Sequence, residues 1–161
     1  VTFSDRVHGF VRARAGREHF NVCRDTLYLQ EPRPVNPDFE ELFTFIRLRL
    51  RKRALLVVLT NLDDPALAEA FTRNARMLAG RHLLLVHMIS PRGAQPIFHG
   101  PDPAHLEGIY RQLAGHLQWQ ALRELQRELH RLGATMALTD SAALAPEVVS
   151  QYVNIKQRQA L

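Results

Sequence analysis

The chain has 161 residues, 46% of them hydrophobic, enough for one domain with its own core and too few for two. Its single cysteine, Cys23, excludes an internal disulfide and fits a reducing, cytoplasmic setting, while no apolar run of about eighteen residues spells a membrane span and no signal peptide is read. The formal charge of +5 would suit an acidic partner or a nucleic acid, but the arginines are spread over helices, so nucleic-acid binding is not expected.

The start alternates like a strand entered without a preceding cap or a methionine, and we expect a fragment of a longer protein. Val1 to Phe3 and Val7 to Arg14, turning at Asp5-Arg6 and closing at Gly16, predict an antiparallel hairpin. Phe20, Cys23 and Leu27 recur at helical spacing, predicting an amphipathic helix over 17–30. Three prolines make 31–37 a loop. Asn36 is placed as the cap of a further helix, with Pro37 in its first turn and Phe39, Leu42, Phe43, Ile46 and Leu50 on its inner face, reaching about Arg51. The basic cluster over 47–53 suits a helix C-terminus.

Ala54 to Leu59 is an unbroken aliphatic run, predicting a strand covered on both faces and placed centrally in a parallel sheet. It breaks into Thr60, Asn61, Asp63 and Asp64, and ligands bind at the carboxyl ends of the strands in open α/β sheets. A binding rim is therefore expected at these four residues, although Asp64 by itself reads as a helix cap before Pro65. A helix over 65–79 stopped by Gly80 follows, then a second buried strand within 81–90 and a loop over 91–103. Two helices joined at Gly115 are predicted between residues 103 and 132, with Leu106, Ile109, Tyr110 and Leu113 inward in the first and Leu122, Leu125, Leu129 and Leu132 in the second. Ala134 to Leu138 predicts a third strand. The last helix begins at Thr139-Asp140-Ser141 and turns Leu144, Val148, Tyr152 and Ile155 inward.

Several chemistries are excluded by motif. The sequence has no His-Glu-x-x-His, no Gly-x-Ser-x-Gly elbow and no glycine-rich phosphate loop. Of its eight histidines, His105, His116 and His130 read as surface residues, and His82 and His87 as packed or hydrogen-bonded. Tyr152 and Lys156 echo the Tyr-x-x-x-Lys pair of short-chain dehydrogenases, but without the matching glycine motif they read as a packing residue and a solvated charge.

Three segments carry a resemblance: Phe3-Ser4-Asp5-Arg6-Val7, Leu56-Val57-Val58-Leu59-Thr60-Asn61, and Tyr152-Val153-Asn154-Ile155-Lys156-Gln157-Arg158. With Arg81-His82-Leu83 and the helix end from Leu129 to Gly133, they resemble the bacterial DUF58 family, in which Tyr152, Lys156 and Arg158 would be motif residues. The resemblance implies a Rossmann-like, three-layer von Willebrand A-type fold: a mostly parallel sheet with an antiparallel edge hairpin strand and helices on both faces. It also implies a divalent metal at the sheet top, held by Asp-x-Ser-x-Ser, a threonine and an aspartate. This sequence has no Asp-x-Ser-x-Ser and places Asn61 where the aspartate is expected, so no cofactor is expected unless a missing first strand supplies ligands for magnesium or manganese. Without that strand the 54–59 edge is uncovered and open to homo-oligomer pairing.

The function implied is a non-enzymatic protein-interaction domain partnering a MoxR-type AAA+ ATPase, in assembly or chaperone-like work at the cytoplasmic face of the bacterial inner membrane. A small α/β enzyme with an acidic site at Asp63 and Asp64 is the alternative, and a basic nucleic-acid-binding domain the third.

Overall fold

The structure is a computed structural model that describes residues 1–14, 16–31, 33–97, 99 and 105–158. It is a mixed α/β fold consistent with a Rossmann-like architecture, and it divides into two compact units, Val1–Arg51 and Lys52–Leu161.

In the first unit, β1 (Thr2–Phe3) and β2 (Val7–Gly9) form the expected hairpin. The hairpin is a two-stranded sheet of its own and not the edge of the parallel sheet, and its second strand stops at Gly9, well short of Arg14. Helix α1 (Arg17–Tyr28) forms where the spacing placed it, yet none of its residues is buried; Phe20 and Leu27 are mostly exposed. Apolar spacing reports a face and not a cover for it.

Helix α2 (Phe39–Arg49) starts two residues later than Asn36 and Pro37 suggested. Asp38 is the cap, its carboxylate accepting the Glu41 amide at 2.9 Å. Asp38 and Glu41 stand in the Asp-x-x-Glu relation of a capping box, but the Glu41 carboxylate accepts from the Val7 amide at 3.1 Å instead of returning to the cap. The Asp38 amide in turn donates to the Ser4 carbonyl at 2.8 Å. The hairpin is thus bolted to the start of α2, whose Phe39, Leu42, Phe43 and Ile46 are buried as expected. Phe3 meets Phe39 at 6.0 Å between ring centroids, and Arg49 lies over both Phe10 and Phe45, which occupies one cation of the basic cluster within its own unit.

The second unit comprises β3 (Leu55–Leu59), α3 (Pro65–Ala75), β4 (Leu83–Ile89), α4 (Leu106–Arg131), β5 (Ala134–Thr139) and α5 (Leu144–Gln157). The strands form one parallel sheet in the order β3-β4-β5. The central strand is therefore β4 and not the 54–59 run: among the described residues β3 pairs with β4 alone, and its Val57 and Leu59 are substantially exposed. β4 shows the two-sided burial expected of both strands, with every residue from Leu84 to Met88 buried, whereas β3 does not. Both strands are apolar apart from His87, and only the ladder partners distinguish centre from edge.

Helix α3 ends at Ala75, four residues before the predicted Ala79, and turns lead through the buried Leu78 to Gly80 at φ 79°. The two helices expected around Gly115 are one, α4, running without a break. Gly115 is not a joint but a point of close approach, because a Cβ there would lie 2.0 Å from the Gly93 carbonyl oxygen. The inward set Leu122, Leu125 and Leu129 is buried, whereas Leu106, Ile109, Tyr110 and Leu113 are exposed, contrary to expectation. Gly133 closes the helix at φ 79°, donating its amide to the His130 carbonyl. Helix α5 begins at Leu144, after a turn over 141–143, and buries no residue fully. The predicted loop over 91–103 falls partly outside the described residues. No helix among them is long and apolar enough to cross a membrane.

Candidate functional site

Where β3 ends, the ladder continues for one more bond, the Thr60 amide donating to the His87 carbonyl at 3.1 Å. Leu62 then turns inward, 2% exposed, with its amide directed at the Met88 sulfur at 3.4 Å. That anchor sends the residues on either side, Asn61 and Asp63, outward. Asp64 closes the segment by capping α3, its Oδ1 accepting from the amides of Ala66 at 2.7 Å and Leu67 at 3.2 Å, with Pro65 in the first turn. The adjacent strand contributes in the same way. Ser90 extends β4 by donating its amide to the Thr139 carbonyl at 3.0 Å, and Pro91 stops it.

A cleft of about 400 Å³ opens between these two carboxyl ends. Thr60, Asn61 and Asp63 line it, as the sequence expected, but Asp64 does not. The remaining lining comes from Leu59, from His87, Ile89, Ser90 and Pro91 of the neighbouring strand, and from Leu144 at the start of α5. Sequence reasoning missed this second half because its place follows from pairing: Leu59 stands opposite His87, so a rim on one strand has its counterpart at residues 87–91.

His87 is the unusual member. Its side chain is 1% exposed and neither ring nitrogen has a hydrogen-bond partner among the described residues. Of the two expected alternatives, packed or hydrogen-bonded, packing is the one realised. His82, 4% exposed, is likewise unpartnered at both nitrogens, and burial pulls its pKa down, reinforced by the Arg81 charge.

The terminal motif lies elsewhere on the second unit. Tyr152 is 45% exposed on α5 and so does not serve as the expected packing residue; Lys156 is exposed in the last helical turn, and Arg158 is the C-cap, its amide donating to the Asn154 carbonyl at 3.1 Å. None of the three lines the cleft.

Two other clusters carry reactive side chains. Ser4, Asp5 and His8 gather in the hairpin, the Ser4 hydroxyl 2.5 Å from His8 Nε2 and donating to Asp5 Oδ1 at 2.7 Å. A catalytic triad requires the carboxylate to hold the far ring nitrogen and the hydroxyl proton to go to the imidazole. Here Asp5 faces the same Nε2, at 3.5 Å, and itself accepts the hydrogen bond that the serine hydroxyl donates. The cluster is a turn clasp, and the Ser4 hydroxyl holds the Asp5 carboxyl below its usual range. On α1, Cys23 Sγ lies 3.6 Å from His19 Nε2, one helical turn away, and among the described residues no third His, Cys, Asp or Glu completes a metal-holding group with them.

Among the described residues, a divalent cation at the rim would find a single carboxylate, Asp63, beside the neutral oxygens of Thr60, Asn61 and Ser90. Among the described residues no three of His, Cys, Asp and Glu converge. That donor set does not fit magnesium or manganese, which bind through carboxylates and retained water in near-octahedral order.

The family model for "Protein of unknown function DUF58" matches residues 1–100. The chain belongs to the DUF58 family. Among curated proteins and among solved structures nothing matches it. The matched stretch of this DUF58 chain runs from the hairpin through β4 and includes all of the rim except Leu144; the Tyr152, Lys156 and Arg158 motif lies beyond it.

Proposed function

We propose that this DUF58 chain is a non-enzymatic protein-interaction domain of von Willebrand A type, receiving its partner at the cleft between the carboxyl ends of β3 and β4. The observation that carries this reading is the chemistry of the lining. Among the described residues aliphatic walls alternate with neutral hydroxyl and amide groups, the His87 imidazole and one carboxylate, a mixture suited to recognition. The enzyme alternative needed Asp63 and Asp64 to act as a pair, and Asp64 is committed to the α3 amides, so that pair is not assembled at the cleft.

The partner we propose is a MoxR-type AAA+ ATPase, and the setting the cytoplasmic face of the inner membrane. Both come from the family resemblance. Titration calorimetry with a purified MoxR-type ATPase from the same genome is expected to show saturable binding that Asn61→Arg in the cleft weakens at least about tenfold, the effect of some 1.4 kcal/mol. Absence of heat with the wild-type chain, or binding indifferent to Asn61→Arg, would count against the reading.

A further inference from the structure

We infer that the cleft takes a short peptide segment in which an aliphatic side chain is followed by a lysine or arginine. This inference rests on the interaction-domain reading and names what the partner presents. At about 400 Å³ the cleft is near the lower end of ligand-sized cavities, roughly 300–1,000 Å³, which suits one or two residues and not a whole helix. Its walls at Leu59, Ile89 and Leu144 are aliphatic, and two of them are more than half exposed: Leu59 at 56% and Ile89 at 51%. An apolar side chain seated there would cover surface that now faces water.

Charge selects the neighbour. Among the described residues Asp63 is the one acidic side chain in the lining and no lysine or arginine accompanies it, so an acidic residue meets a like charge while a basic one finds a counter-ion. His87 selects for backbone. A neutral imidazole carries one donor and one acceptor, the complement of a peptide group's carbonyl and amide. His87 is a lining residue and the ladder partner of Leu59, and its ring is nine-tenths and more buried with both nitrogens unpartnered among the described residues, so a peptide group meets them once the ring turns into the cleft. A buried polar ring without a partner is costly to keep, and a ligand that supplies the partner recovers that cost.

The probe is acetyl-Leu-Lys-amide, titrated into the full 161-residue chain labelled with ¹⁵N-histidine, with the His87 ring signals assigned through their loss in His87→Leu. Saturable shifts of those signals are expected at millimolar concentration or below. Acetyl-Leu-Glu-amide should bind more weakly. His87→Leu should weaken the lysine peptide about 3- to 30-fold, as loss of a buried hydrogen bond does, with recovery in His87→Gln, which retains a donor and an acceptor. Asp63→Asn should cost about 2- to 5-fold and erase the preference for lysine over glutamate. Equal binding of the two peptides by the wild type, or no saturable His87 shift up to about 10 mM, overturns the inference. Should the dipeptide bind while the ATPase does not, the choice of partner falls and the inference stands; should the ATPase bind through the rim while the dipeptide does not, the inference alone falls.

Discussion

Asp63 and Asp64 are adjacent in the chain and have opposite fates. The buried Leu62 fixes the phase of the turn, so Asp63 is left facing the cleft while Asp64 turns its carboxylate onto the first amides of α3. Cap chemistry was legible because it is local: an aspartate followed by proline states its own role. The contribution of His87 was not legible, since nothing near it in sequence shows that Leu59 stands opposite or that its ring goes unpartnered. The other buried histidine gives a pH dependence. Burial lowers the pKa of His82 below that of the unfolded chain, so between the two values only the unfolded state takes up the proton. Its contribution to stability is therefore intact above about pH 6.5 and is lost as pH falls below it, by at most about 1.4 kcal/mol per pH unit for one proton. Urea unfolding at pH 7.5 and 5.5 should show a smaller pH difference for His82→Leu than for the wild type. An unchanged difference would mean that His82 protonates as readily in the folded state.

Among the elements, α4 shows most clearly where pattern stops being informative. A glycine inside an apolar helical pattern was read as a break, since glycine costs about 1 kcal/mol relative to alanine in a helix interior. The helix continues because Gly115 lets the Gly93 carbonyl come close, a tertiary reason with no mark in the local sequence. Gly115→Ala tests this by sign. A merely solvated glycine would gain about 1 kcal/mol from the substitution, whereas a backbone oxygen 2.0 Å from the new Cβ should make it lose about 1–3 kcal/mol, read as a lower urea midpoint. The same helix carries Leu106, Ile109, Tyr110, Leu113 and Leu117 exposed along its first half. Their spacing was legible, their exposure was not, and α1 repeats the lesson with Phe20 and Leu27.

Across the whole molecule, the alternation of apolar runs with helical periods was enough to place three strands and the helical segments between them, because a short apolar run of strand length stands out against a helical period. Order within the sheet was not encoded there. Leu55–Leu59 and Leu83–Ile89 read alike, and only pairing makes the second the centre. The hairpin was legible from its turn, but its separation into a sheet of its own was not. That the rim was half right follows from the same limit: one strand end was visible, and its neighbour became visible only with the register.

The position of β4 between two partners also carries a kinetic meaning. Residues 60–82 connect it to β3, whereas residues 90–133, roughly twice as many, connect it to β5, and each doubling of a closed loop costs about 0.6 kcal/mol. The shorter closure should come first, so the folding nucleus holds β3 on β4 and β5 zips on afterwards. In stopped-flow chevrons Val58→Ala is then expected mainly to slow folding, and Met136→Ala mainly to hasten unfolding. The opposite partition would place the rate-limiting crossing at the far side of the sheet.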